Sequence, residues 1–103
     1  MRITVEAVVQ AELTAVWDAW NNPADIERWN ADFEGTYTRI VPHRTIEYRM
    51  SDGRQVKVEV VERPGGVLVR ETFDAETRNP PQMQRRGWQA ILDNFRRHVE
   101  ARG

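Results

Sequence analysis

NPPQMQRRGWQAILDNFRRHVEARG, residues 79–103, reads as the longest helix of the chain. Asn79 suits the N-cap and Pro80 the first helical position, and Gln82, three residues after the cap, makes the start resemble a capping box. Met83, Gly87, Ala90, Ile91, Phe95 and Val99 form an apolar stripe with Trp88 and Leu92 at its margin, wide enough to lie on a sheet. An interior helical glycine costs roughly 0.5 to 1 kcal/mol relative to alanine. Small residues at 87 and 90 would let the helix axis approach a strand closely, so Gly87 is expected to face the sheet.

The sheet itself is legible upstream. Ile3, Val5, Ala7 and Val9 recur with a period of two, the mark of a half-buried strand. The period then changes: Leu13, Val16, Trp17 and Trp20 share one face of a short helix. Asn22-Pro23 can open a second short helix, with Ile26 and Trp29 on one side. Residues 33–41, FEGTYTRIV, read as a strand ended by Pro42 and His43. In TIEYRM, Ile46, Tyr48 and Met50 fall on one side. Asp52-Gly53 signals a hairpin, after which Val56, Val58 and Val60 alternate. Pro64-Gly65-Gly66 turns the chain again, and the next strand places Val67, Val69, Glu71 and Phe73 on one face.

Composition narrows the class. The chain has 103 residues, 40% hydrophobic and 30% charged, with a formal net charge of -1. That length fits one domain spanning 1–103 with a modest core. A near-neutral balance gives no general attraction to nucleic acid or an anionic membrane. There is no cysteine, which excludes disulfides, thiolate nucleophiles and cysteine metal sites. No stretch reaches membrane-spanning length, and a cytoplasmic setting is expected.

The order strand, two short helices, antiparallel strands and long C-terminal helix is that of the α+β helix-grip fold. VWDAWNNPADIERWN, DFEGTYTRI and the segment from Glu71 to Glu100 resemble the bacterial relatives of the activator of the heat-shock-protein ATPase, within the START-like (SRPBCC) superfamily. The pattern Gln84, Gly87-Trp88, Ile91-Leu92 and Phe95 is its most specific part. The resemblance implies two further strands between the short helices and DFEGTY, whereas here Trp29-Asn30-Ala31 runs directly into Asp32-Phe33. Roughly 25 to 40 residues are missing by ordinary element lengths. Five strands should remain, in the order 1-5-4-3-2, and the strand at 33–41 should become an exposed edge open to pairing with a second copy.

Several constellations bear on function. Alternation points the Glu71 carboxyl toward the long helix, where it either pairs with an arginine, reaches solvent, or anchors a ligand. Trp17, Trp20, Trp29, Tyr37, Tyr48, Phe73, Trp88 and Phe95, with Ile91, suit the lining of a pocket for a flat apolar molecule, or simply a core. His43 in its turn and His98 on the last helix have no triad partner in the sequence, and no ligand spacing suggests a metal or other cofactor. Arg85, Arg86, Arg96 and Arg97 share their helix with Asp93 and Glu100, and Asp93 to Arg97 is an ion-pair spacing. That argues against a DNA-reading face. The expectation is a binder of a small hydrophobic molecule, without catalytic residues and paired as a homodimer through 33–41. The alternatives are a polyketide-cyclase-like enzyme using Glu71, Tyr48 or His43, and a co-chaperone-like interaction module.

Overall fold

The computed structural model describes residues 1–21, 35–50 and 52–102. The elements are β1 (Arg2–Val9), α1 (Leu13–Asn21), β2 (Gly35–Val41), β3 (Thr45–Met50), β4 (Gln55–Arg63), β5 (Gly66–Asp74) and α2 (Pro81–Arg102). The expected second short helix from Asn22, with Trp29, and the first two residues of the strand at 33–41 lie outside the described residues. The five described strands form one antiparallel sheet ordered β1-β5-β4-β3-β2, as the sequence predicts.

Register sorts the side chains into two faces. Ile3, Phe73, Val56, Tyr48 and Tyr37 form one row across the inner face, and Val5, Glu71, Val58, Ile46 and Ile40 the next. The apolar members from β1, β5, β4 and β3 are buried against the helices, together with Val16, Trp17 and Trp20 of α1 and Leu92, Phe95 and Val99 of α2. The outer face is polar apart from the row Val8, Leu68 and Val61, and carries Arg70–Glu6, Arg2–Asp74 and Arg39–Glu47 ion pairs at 2.7, 3.4 and 3.7 Å. These exposed pairs are worth at most about 1 kcal/mol each. A register shift between Tyr37 and Arg39 leaves Thr38 as an extra residue. This bulge lets Tyr37 and Ile40, three apart, both turn to the inner face.

The turns follow their chemistry. Gly53 and Gly65 have φ of 91° and 88°, as the Asp-Gly and Pro-Gly pairs suggest. At Gly66 an added Cβ would stand 2.7 Å from the Val9 carbonyl oxygen, so that close approach of β5 to β1 excludes a side chain. The β2–β3 turn is unusual. The Arg44 N–H donates to the Val41 carbonyl at 3.0 Å, Pro42 takes the second position, and His43 occupies the left-handed third position with φ 64°. Glycine normally serves there.

Two expectations about the long helix need correction. It begins one residue later than Asn79 capping implies: the Pro80 carbonyl accepts from the Gln84 N–H at 3.2 Å, and Pro81 is the first helical residue. The polar clasp at this end is Gln84, not Gln82. The buried Gln84 donates to the carbonyls of Asn79 (2.7 Å) and Glu76 (3.1 Å) and accepts from the Glu76 N–H (2.8 Å). The stripe is also rotated. Gln84, Trp88, Leu92, Phe95 and Val99 turn inward with Ile91 partly buried, whereas Met83, at 58% exposure, Gly87 and Ala90 face solvent. Nothing described lies within 4 Å of a Cβ built on Gly87, so close helix-sheet packing does not explain that glycine.

Candidate functional site

Glu71 is the most unusual group in the interior. Its neighbours across the ladder are Val5 and Val58, and along its own strand on the same face are Val69 and Phe73. The residue is 3% exposed, and its Oε1 is buried without a hydrogen-bond partner among the described residues. No arginine pairs with it among the described residues, and it does not reach solvent. Burial pushes its carboxyl up to about 8, because an apolar interior penalises the charged form. Glu71 is therefore mostly protonated at neutral pH, a hydrogen-bond donor in a setting of valines and aromatic rings.

Tyr48 lies on β3 in the adjoining inner row, two strands away. Burial raises its phenol well above the ordinary value, and the Glu71 charge and Tyr37 add to that. The rings of Tyr48 and Tyr37 meet edge to face at 6.3 Å. Tyr37 is 38% exposed, so this aromatic array runs from the middle of the sheet to its β2 edge. Burial also raises the Tyr37 phenol.

The remaining expected site residues fall into separate contacts. Phe73 and Trp88 stack at 3.9 Å with an interplanar angle of 10°. Trp20 and Phe95 meet edge to face at 4.7 Å. Trp17 lies against His43, with ring centroids 5.5 Å apart. Ile91 packs partly buried beside the core. Most of these side chains thus face one another inside the domain, and Glu71 and Tyr48 supply the polar groups among them. Asp93 accepts from Gln89 at 3.1 Å, and Arg97 donates to Asn94. The expected Asp93–Arg97 pair is not formed.

The helix secures one side of the sheet through residues that periodicity did not single out. Arg85 donates to the Thr4 carbonyl at 2.8 Å, Gln89 donates to the Glu6 carbonyl at 3.0 Å, and Glu100 accepts from the Gln10 N–H at 2.8 Å. These side chains satisfy backbone groups along β1 and its exit, at one edge of the sheet. At the other edge Thr38, Arg39 and Ile40 are exposed. Two open grooves lie away from Glu71. One of about 460 Å³ is lined by Leu13, His43, Arg44, Glu59 and Glu62 among others, and one of about 390 Å³ lies beside Asp52, Arg54 and residues 75–78. No cluster of three or more His, Asp or Glu that could hold a metal occurs among the described residues.

Residues 30–100 match the family model for activator of Hsp90 ATPase homolog 1-like protein. No curated protein matches the chain. Among solved structures, an AHSA1-like protein from Aeromonas hydrophila is 40% identical, with a TM-score of 0.92 over 100% of this chain and 94% of that one. Chr148 from Cytophaga hutchinsonii is 29% identical, with a TM-score of 0.78 over 98% and 93%. The Aha1 dimer from Colwellia psychrerythraea shares the fold at 12% identity, with a TM-score of 0.81 over 97% and 96%. The helix-grip sheet and long helix are thus those of a START-like protein, and the chain belongs to the family of activator of Hsp90 ATPase homolog 1-like proteins.

Proposed function

We propose that this domain binds a small, flat, largely apolar molecule between the inner face of its sheet and α2, with Glu71 as the polar anchor. The observation that carries this reading is the buried Glu71 Oε1, which has no partner among the described residues. A buried polar group left unsatisfied costs about 1 to 3 kcal/mol, and a ligand carbonyl or ether oxygen accepting from the protonated carboxyl would remove that cost. The aromatic set around the same interior supplies the apolar contact that such a ligand needs. Access on the β2 side is favoured by Ile40, which keeps 47% exposure although it faces inward.

A panel of flat apolar compounds, with and without a carbonyl group, tests the reading by thermal shift and tryptophan fluorescence. A ligand held at 100 times its Kd raises stability by about 2.7 kcal/mol. Carbonyl-bearing compounds should raise the Tm and perturb tryptophan emission, and Glu71→Leu should lose that preference. Loss of the orphaned carboxyl should also leave the unliganded Glu71→Leu protein at least as stable as the parent. A panel without any shift in Tm or emission overturns the reading.

The assembly we propose is a homodimer through β2. The contrast between the sheet edges supports it: α2 covers β1 with Arg85, Gln89 and Glu100, while Thr38, Arg39 and Ile40 of β2 stay exposed. Antiparallel pairing about a two-fold axis would satisfy the backbone of both copies. The related Aha1 protein from Colwellia psychrerythraea is described as a dimer.

A further inference from the structure

The groove of about 460 Å³ beside His43 exists because β4 outruns β3. Pairing with β3 ends at Thr45 and Glu59, whereas β4 continues beside β5 through Val61, Glu62 and Arg63. His43, at φ 64°, turns the chain between β2 and β3 at this point, so neither strand runs on alongside β4. At the junction the Val60 N–H donates to the Arg44 carbonyl at 2.8 Å, while the Arg44 N–H is directed to the Val41 carbonyl at 3.0 Å rather than to that of Val60. Backbone groups along a strand face alternate sides. Glu62, two residues past Val60, therefore points its N–H and C=O into the groove, where no strand stands among the described residues. The result is a strand-wide slot closed at one end by the His43 turn.

The side chains around the slot define what it accepts. On the outer face Val61, 42% exposed, ends the apolar row Val8–Leu68–Val61, and an apolar residue placed opposite Val61 would extend that row. On the inner face the exposed Glu62 lines the groove together with the partly buried Leu13 of α1. A lysine stem lying on Leu13 would bring its ammonium to Glu62. Glu59 and Glu62 line the groove against the guanidinium of Arg44, and Glu59 lies near Arg70. Glu62 has no ion pair among the described residues, which leaves it as the carboxylate for an incoming cation to meet. We propose that this slot takes an extended peptide segment of a partner protein, alternating apolar and basic residues, which adds to β4 as a short strand. Main-chain bonds at Glu62 supply affinity, and the alternation of side chains supplies selectivity. A non-glycine residue held in the left-handed region at the closed end of the slot fits a clamp of this kind.

The test is fluorescence polarisation with the full chain and a labelled peptide, Lys-Val-Lys-Val-Lys, at low salt. Polarisation should rise to saturation, and Glu-Val-Glu-Val-Glu should bind at least about tenfold more weakly. N-methylation of the central lysine amide should also cost at least about tenfold, because it removes a main-chain donor and blocks strand addition. Glu62→Gln should lose roughly five- to tenfold. Glu62→Pro should lose more, since proline also removes the N–H aimed at the slot while leaving the ladder to β5 at Val61 and Arg63 intact. If Glu62→Pro fails to fold, the N-methylated peptide on the parent protein decides instead. No saturable rise up to about 1 mM, the weak end of specific affinity, overturns the proposal, as does equal binding of the N-methylated peptide. Displacement of the peptide by a flat apolar compound would make the groove a small-molecule site, and a halved solution mass for Glu62→Pro would make it a contact between copies; either result overturns the peptide assignment.

Discussion

Glu71 and His43 each occupy a position that ordinary packing would assign to another residue, and each has a measurable cost. Glu71 keeps its proton to about pH 8 when folded, against 4.5 for an unperturbed carboxyl. Between those values the native state binds the extra proton, so stability falls as pH rises across that window and levels off above it. The contribution amounts to at most about 5 kcal/mol at 1.36 kcal/mol per pH unit. Denaturant melts from pH 5 to 9 should therefore show a downward slope that Glu71→Gln removes; parallel profiles would mean that the carboxyl ionises freely. His43 holds a left-handed backbone beneath Trp17. Asparagine tolerates that conformation and a β-branched residue does not. His43→Val should cost about 1 to 3 kcal/mol and His43→Asn clearly less, measured by chemical denaturation; equal losses would put the cost in the ring contact.

The helix shows what periodicity could reveal and what it could not. Gly87 in an exposed helix interior should gain roughly 0.5 to 1 kcal/mol on replacement by alanine, and a lower Tm for Gly87→Ala would reveal a contact that the exposed position lacks. Gln84→Ala should lose about 1 to 3 kcal/mol through its three hydrogen bonds and the groups left unsatisfied. The strands were legible because one face is buried and a period of two leaves little freedom, so even the inward direction of Glu71 followed from its neighbours. The helix surface was harder. Met83, Gly87 and Ala90 form a valid apolar stripe on their own, and the true inward position at 84 is a polar residue whose partners lie in the preceding loop. Periodicity puts Trp88 at the margin of the stripe, because its stacking partner, Phe73, is distant in sequence. The bulge at Thr38 has no local signature, since it depends on how β2 meets β3.

For the whole molecule, the solution mass tests the proposed pairing. Light scattering at tens of micromolar should give twice the chain mass. Replacing Ile40 by lysine puts a charge on the exposed edge and should return the protein to a monomer while its Tm remains near that of the parent. A dimer that survives this change would lie on another surface. The sequence contains the aromatic set but does not divide it into the pairs Phe73–Trp88, Trp20–Phe95 and Trp17–His43, because each joins residues distant in sequence.

The unequal sheet edges also bear on how far such association can proceed. A growing fibril needs two adhesive ends on every unit, one to join the chain and one to receive the next. Here Arg85, Gln89 and Glu100 occupy the β1 end, so that among the described residues the exposed edge is at β2, the one proposed to pair. Two copies joined there as proposed would consume both exposed edges, so that assembly would terminate itself, and the helix that builds the interior would also be the stopper against runaway polymerisation.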